Sequence, residues 1–231
     1  MTNTRNKKIV IQKDGPYLVH GDILLVRKEQ VVSEYGEPLT WRKSGTIETR
    51  EYYELCRCGH SKEKPFCDCS HFDAGFDGTE TADTGPTLQR QEQLVGGVGI
   101  VVKRDASLCM NSGFCGNRLS NIDTLVPQTG DTQIRAQVMA MIERCPSGSL
   151  LYSIDAGGEN IEPDLPEEIA VTTEITSTGP IEGSLWVTGY IPVERADGQP
   201  FETRNRVTLC SCGESANKPL CDGAHRKQGA K

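Results

Sequence analysis

Cysteine placement constrains this chain more than any other feature. Its ten cysteines fall in three bunches: Cys56, Cys58, Cys67 and Cys69, then Cys109, Cys115 and Cys145, then Cys210, Cys212 and Cys221. In a secreted protein an even count reads as a disulfide framework. The opening residues, MTNTRNKK, lack the apolar stretch of about 7–15 residues that a signal peptide needs. A cytoplasmic setting is therefore expected, and there cysteine-dense segments more often bind metal. Disulfides need no local bunching, whereas chelation does. No apolar run approaches the roughly 18 residues of a membrane span, so no membrane association is expected. The net charge of −7 argues against a nucleic-acid partner, which would require a basic face.

Charge divides the chain at the same places as the cysteines. Residues 1–72 carry a balance of +2, residues 73–175 a balance of −10 and residues 176–231 a balance of +1. With 36% hydrophobic residues over 231 positions, several modest cores are expected rather than one large one. The outer thirds also repeat one another. Residues 56–71, CRCGHSKEKPFCDCSH, and 210–225, CSCGESANKPLCDGAH, agree at nine of sixteen positions. Upstream, GPYLVHGDI (15–23) resembles GSLWVTGYI (183–191), and YYELC (52–56) resembles RVTLC (206–210). The first copy has 14 more residues between Gly21 and Cys56 than the second has between Gly189 and Cys210. Both copies alternate apolar and polar residues between turn signals, which predicts short strands. Each unit is too thin to bury a core alone, so the two are expected to pack together.

The spacing has a physical rationale. Cys56 and Cys58, at i and i+2 on a strand end, point to one face. Cys67 and His71, at i and i+4, meet if residues 68–71 begin a helix, which Asp68 would cap. The same holds for Cys210, Cys212, Cys221 and His225, with Asp222 capping. Three thiolates and one imidazole suit zinc as well as a cluster, so spacing leaves the metal open.

The pattern C-x-C-x2-S-x3-P-x-C-D-x-x-H resembles that of the CDGSH iron–sulfur (NEET-type) family. Residues 210–225 match it throughout; residues 56–71 depart once, with Cys69 where the family has glycine. The resemblance implies two 2Fe-2S clusters, each held by three Cys and one His. The implied ligands are Cys56, Cys58, Cys67 and His71, then Cys210, Cys212, Cys221 and His225. It also implies clusters that are redox-active, acid-labile at the His and transferable. The family's domains form intertwined β-rich homodimers, which implies pairing of the two copies within this one chain. Cys69 is read as a small residue tolerated in place of glycine; the alternative is an extra ligand or a redox-active thiol.

In the middle third, the predicted order is strand (100–105), cysteine loop, helix from about Asp131, Cys145-Pro146, and strand (150–154). That is the order of a bacterial ferredoxin half, whose loop reads C-x2-C-x2-C and is completed by a distant C-P. Cys109 and Cys115 take the first and third loop positions, Ser112 the second, and Cys145 the last. Residues 95–156 resemble the divergent single-cluster ferredoxins, with CPSGSL (145–150) the closest local match. Three cysteines favour a 3Fe-4S cluster. A 4Fe-4S cluster is the alternative, its fourth iron held by Ser112, water or another group.

Other chemistry is weak. Gly96-Gly97-Val98-Gly99 precedes a strand rather than a helix and cannot present helix N–H groups to a phosphate. His20 and His60 read as solvated, Trp41 and Trp186 as packing residues, and Glu167-Glu168 as linker. No nucleophile–base pair stands out, so a carrier rather than an enzyme is expected. The fold expected is α+β, mostly β: two small β-rich CDGSH modules (1–75 and 176–231) paired by pseudo-twofold symmetry, with a ferredoxin-like α/β module (95–160) between linkers 76–94 and 161–175. The function expected is electron transfer with a reductase or oxidase as redox partner. The alternative is storage, sensing or transfer of clusters to an apo-protein acceptor.

Overall fold

A computed structural model describes residues 7–228. Residues 1–6 and 229–231, at the outer ends of the two expected modules and including most of the segment read for a signal peptide, lie outside the described residues. The first repeat supplies β1 (Lys8–Ile11), β2 (Tyr17–His20), β3 (Leu24–Val32), β4 (Pro38–Ile47), β5 (Tyr52–Leu55) and a one-turn helix α1 (Ser70–Asp73). The middle contributes α2 (Thr87–Arg90), β6 (Glu92–Gln93), β7 (Val101–Arg104), α3 (Ile122–Leu125), α4 (Thr132–Glu143) and β8 (Leu150–Ser153). The second repeat follows with β9 (Glu168–Thr176), β10 (Gly179–Thr188), β11 (Val193–Glu194), β12 (Arg206–Leu209) and α5 (His225–Gln228). None of the helices is long and apolar enough to cross a membrane, among the described residues.

The two repeats exchange strands. One sheet has the order β11-β1-β2-β5 and another β12-β10-β9-β3-β4. Strand β3 pairs in parallel with β9 of the other repeat, Leu25 opposite Ile169, and β11 pairs in parallel with β1, Val193 opposite Ile9. Inside each repeat the registers agree: Ile9 faces Val19 and Tyr17 faces Leu55, as Ile169 faces Val187 and Leu185 faces Leu209. A pseudo-twofold therefore relates the halves. The alternation of apolar residues on these short strands gives each sheet one inward face. The inward residues Ile9, Tyr17, Val19 and Leu25 share one core with Ile169, Leu185, Val187 and Leu209.

The pseudo-symmetry is broken in two hairpins. The first repeat accommodates its extra residues in the long β3–β4 hairpin. The second extends β9–β10: five residues separate Ile11 from its partner Tyr17, but thirteen separate Val171 from Leu185. Both extensions reach toward the middle module.

That module is a three-stranded sheet, β6-β7-β8, with α3 and α4 against it, packed around Val102, Ile122, Val138, Ile142, Leu150 and Tyr152. Asp131 caps α4 by accepting from the N–H groups of Gln133 and Ile134, at the position the sequence predicts.

Both expected linkers need correction. Residues 168–175 are not linker but strand β9, in the middle of the five-stranded sheet; Glu168 is buried and pairs with Lys28 Nζ at 2.7 Å. The first five residues of β9 are buried in succession, so the strand shows no alternation from which to read it. Residues 76–94 form a strap. Thr81 and Ala82 donate their N–H groups to Lys218 O at 2.8 and 2.9 Å, and Glu92–Gln93 joins the central sheet. His20 is half-buried against Tyr52, ring centroids 5.0 Å apart, rather than freely solvated; His60 is exposed. Trp41 and Trp186 pack together with centroids 5.7 Å apart.

Candidate metal centres

The identical residues of the two repeats build one loop twice. Cys56 N–H donates to Pro65 O and Cys210 N–H to Pro219 O, each at 2.8 Å. Asp68 accepts from the N–H groups of Lys62 (2.8 Å) and Ser70 (3.0 Å), and Asp222 from those of Ala216 (2.9 Å) and Ala224 (3.0 Å). The aspartate thus spans the loop as well as entering the helix, and these donors hold the Asp68 carboxyl well below the usual carboxylate range, Lys62 N–H foremost. Ser61 and Ser215, whose role the spacing does not reveal, donate to Phe66 O and Leu220 O at 2.7 Å each.

These loops bring together the side chains expected to hold metal. Cys56 and Cys58 Sγ lie 3.8 Å apart, Cys210 and Cys212 Sγ 3.7 Å. Cys67 Sγ lies 3.4 Å from His71 Nδ1, and Cys221 Sγ 3.5 Å from His225 Nδ1. A metal with bonds of roughly 2.3 Å to sulfur has tetrahedral edges of about 3.8 Å, so each pair fits one metal. No three His, Cys, Asp or Glu side chains converge on a single ion among the described residues. Each loop thus supplies two such pairs, Cys–Cys and Cys–His.

Burial pushes the Cys67 thiol up to about 11 and raises Cys58 and Cys221 as well. Metal binding must displace protons from these thiols. Cys210 is drawn down instead, chiefly by a hydrogen bond from Cys212 and also by the N–H groups of Ser215 and Gly213. Donors of this kind suit thiolate bound to iron.

Cys69 is the first repeat's departure from its twin. It is exposed, adopts φ 69°, and its N–H donates to Cys67 Sγ; Gly223, its counterpart, has φ 84°. The position demands a left-handed backbone, which glycine adopts freely and cysteine does at a cost of about 1 kcal/mol. Replacing Cys69 with glycine is expected to stabilise the fold by about that amount and leave the visible spectrum unchanged. A shift of the spectrum or loss of iron would make Cys69 a ligand.

In the middle module Cys109, Cys115, Cys145 and Ser112 line one cavity of about 380 Å³, with Met110 and Phe114 on its walls. Burial pushes the Cys115 thiol up, and Cys145 and Cys109 add to the effect. All four predicted positions therefore border the same space. The Ser112 backbone is held from outside the module, its carbonyl accepting from Gln30 Nε2 at 3.1 Å.

The three donor sets are contiguous. Cys58 and Cys212 form a bridge across the pseudo-twofold. The second loop packs on the central one: Asn111 Nδ2 donates to Asp222 O (3.1 Å) and Asn217 Nδ2 to Ser107 O (2.7 Å). The second repeat's loop thus touches both of the others.

The family described as iron-binding zinc finger CDGSH type matches residues 14–72 and 182–226. A family described as divergent 4Fe-4S mono-cluster matches residues 95–155. No curated protein and no solved structure matches the chain.

Proposed function

From the premise that this is an iron–sulfur protein, with two CDGSH-type regions flanking a divergent 4Fe-4S mono-cluster region, we propose that it carries electrons between partner proteins. The contiguity of the three donor sets carries the reading, because electron transfer falls off steeply with separation. Cys56, Cys58, Cys67 and His71 would hold one 2Fe-2S cluster, and Cys210, Cys212, Cys221 and His225 a second. Cys109, Cys115 and Cys145 would hold the central cluster. The description of the matched family favours 4Fe-4S over the 3Fe-4S that the cysteine count suggests, and Ser112, lining the same cavity, would complete it. When bound, such clusters accept and release single electrons at potentials set by burial and hydrogen bonds. The protein's part is to hold the thiolates, aim loop N–H groups at them and keep the three sites in fixed order. The acidic middle third suits a reductase or oxidase with a basic docking face.

The second reading, donation of clusters to an apo-protein, is favoured by one observation: in the first loop Cys69 and Phe72 are exposed beside His71. Anaerobic purification with iron and sulfide analysis, EPR and redox titration distinguishes the readings. Eight irons per chain, all centres reduced reversibly without iron loss, are the expected result for a carrier. Four irons, or irreversible loss on reduction, would end the three-centre relay, and zinc without colour would end both readings.

A further inference from the structure

The two histidines expected to bind iron have the same burial and different partners. His71 is 6% and His225 5% exposed. The outer nitrogen of His225, Nε2, lies 3.1 Å from Glu174 Oε1. Glu174 is fully buried, and its other oxygen pairs with Arg226 Nη2 at 2.6 Å. Arg226 also donates to Ser112 O at 3.4 Å, which joins this group to the central cysteine loop. No acidic side chain pairs with His71 among the described residues; its ring lies against Phe72, centroids 4.2 Å apart, and Phe72 is exposed.

The cause lies in the hairpin extension. Glu174 sits on the part of β9 beyond Val171, which the shorter β1–β2 hairpin lacks. A register shift in β10 between Glu182 and Leu185 brings Gly183 over the carboxylate. A Cβ on Gly183 would lie 2.4 Å from Thr172 Oγ1, a clash, and 3.1 Å from Glu174 Oε1, a tight contact, so glycine here relieves crowding on both side chains. Gly183 O in turn accepts from Ser211 Oγ at 2.7 Å, inside the second cysteine loop.

We infer that Glu174 is a positioning residue for His225, and that it makes the two CDGSH sites unequal: the second retains its cluster, and the first is the one that releases it. The inference rests on the ligand assignment proposed above. A carboxylate accepting from the outer nitrogen fixes the tautomer with Nδ1 free for metal and orients the ring. Removing such a partner typically costs about 10–100-fold in metal affinity. His71 has no such support, so its site is the exchangeable one. This division is compatible with electron carriage through the second and central sites.

The test follows cluster loss by visible absorption, with excess EDTA as the acceptor at one fixed pH. The loaded wild-type protein is expected to lose its 2Fe-2S absorbance in two equal phases separated by about tenfold or more. In Glu174→Gln the slow phase alone accelerates, by about tenfold or more, and the histidine-nitrogen couplings in the reduced EPR spectrum change for one site only. Arg226→Gln breaks the ion pair and leaves the histidine contact, so its slow phase stays within about threefold of wild type. A single phase in the wild type, a slow phase unchanged by Glu174→Gln, or equal effects of both substitutions would overturn the inference. Absence of any 2Fe-2S signal from the starting protein would instead overturn the ligand assignment.

Discussion

Alanine at Gly213 or Gly59 is expected to lower the thermal midpoint by about 10 °C and to strip iron from both CDGSH sites together. Each glycine has a left-handed backbone, φ 80° and 82°, and each meets the other repeat at backbone distance. A Cβ on Gly213 would lie 2.4 Å from Cys58 O, and one on Gly59 2.3 Å from Cys212 O. Neither carbonyl can rotate away, because both belong to the cysteine loops. The loops that carry them must separate across the pseudo-twofold. Backbone strain of about 1–2 kcal/mol and this displacement together cost about 3–5 kcal/mol. In a chain of this size each kcal/mol lowers the midpoint by about 2–4 °C. Gly36, with φ 79° and nothing within 4 Å, isolates the first contribution, and Gly36→Ala should cost only a few degrees. Calorimetry with iron analysis checks the pair. Equal effects at Gly36 and Gly213 would show that the close approach between repeats carries no weight.

Arg206→Leu is expected to have a comparable effect by a different route, loosening the middle module from the second repeat. Arg206 is 1% exposed at the start of β12. Its guanidinium donates to Ile142 O (3.0 Å) and Glu143 O (2.7 Å) at the end of α4, two residues before Cys145. It also pairs with Glu162 Oε2 at 3.1 Å. Leucine leaves the helix's terminal carbonyls and a partly buried carboxylate without their partner, a loss of about 3–5 kcal/mol. Lysine restores the charge but not the fork, whose Nη1 serves both carbonyls while Nη2 meets Glu162, and should recover only part of the loss. The expected sign is a fall of about 10 °C in the midpoint, with lower iron content at the central site and intact 2Fe-2S absorbance. A midpoint within about 2 °C of wild type would show that the module is held elsewhere.

Much of the local structure is legible in the residues themselves. Asp131 marks the start of α4, and the nine shared identities mark the two cysteine loops, because each identity acts within the loop that contains it. Ser61 accepts from Glu63 and donates to Phe66, all within six residues. The destination of strand β9 is not legible. It begins inside a Pro-flanked acidic stretch, its buried residues show no alternation, and its partner β3 lies far away in the chain. Glu174 is equally silent, one carboxylate among many in the acidic third until β9 carries it to His225.

Residue identity and spacing alone show which thiols and imidazoles stand at ligand spacing, and that two of the three sites are copies. Short-range geometry suffices for that, since a loop of sixteen residues closes on its own hydrogen bonds. Folding alone gives the two histidines their different partners, Glu174 for His225 and Phe72 for His71. Strand exchange places the two extended hairpins on one side of the pseudo-twofold, and a hairpin's reach depends on the packing around it rather than on its own residues.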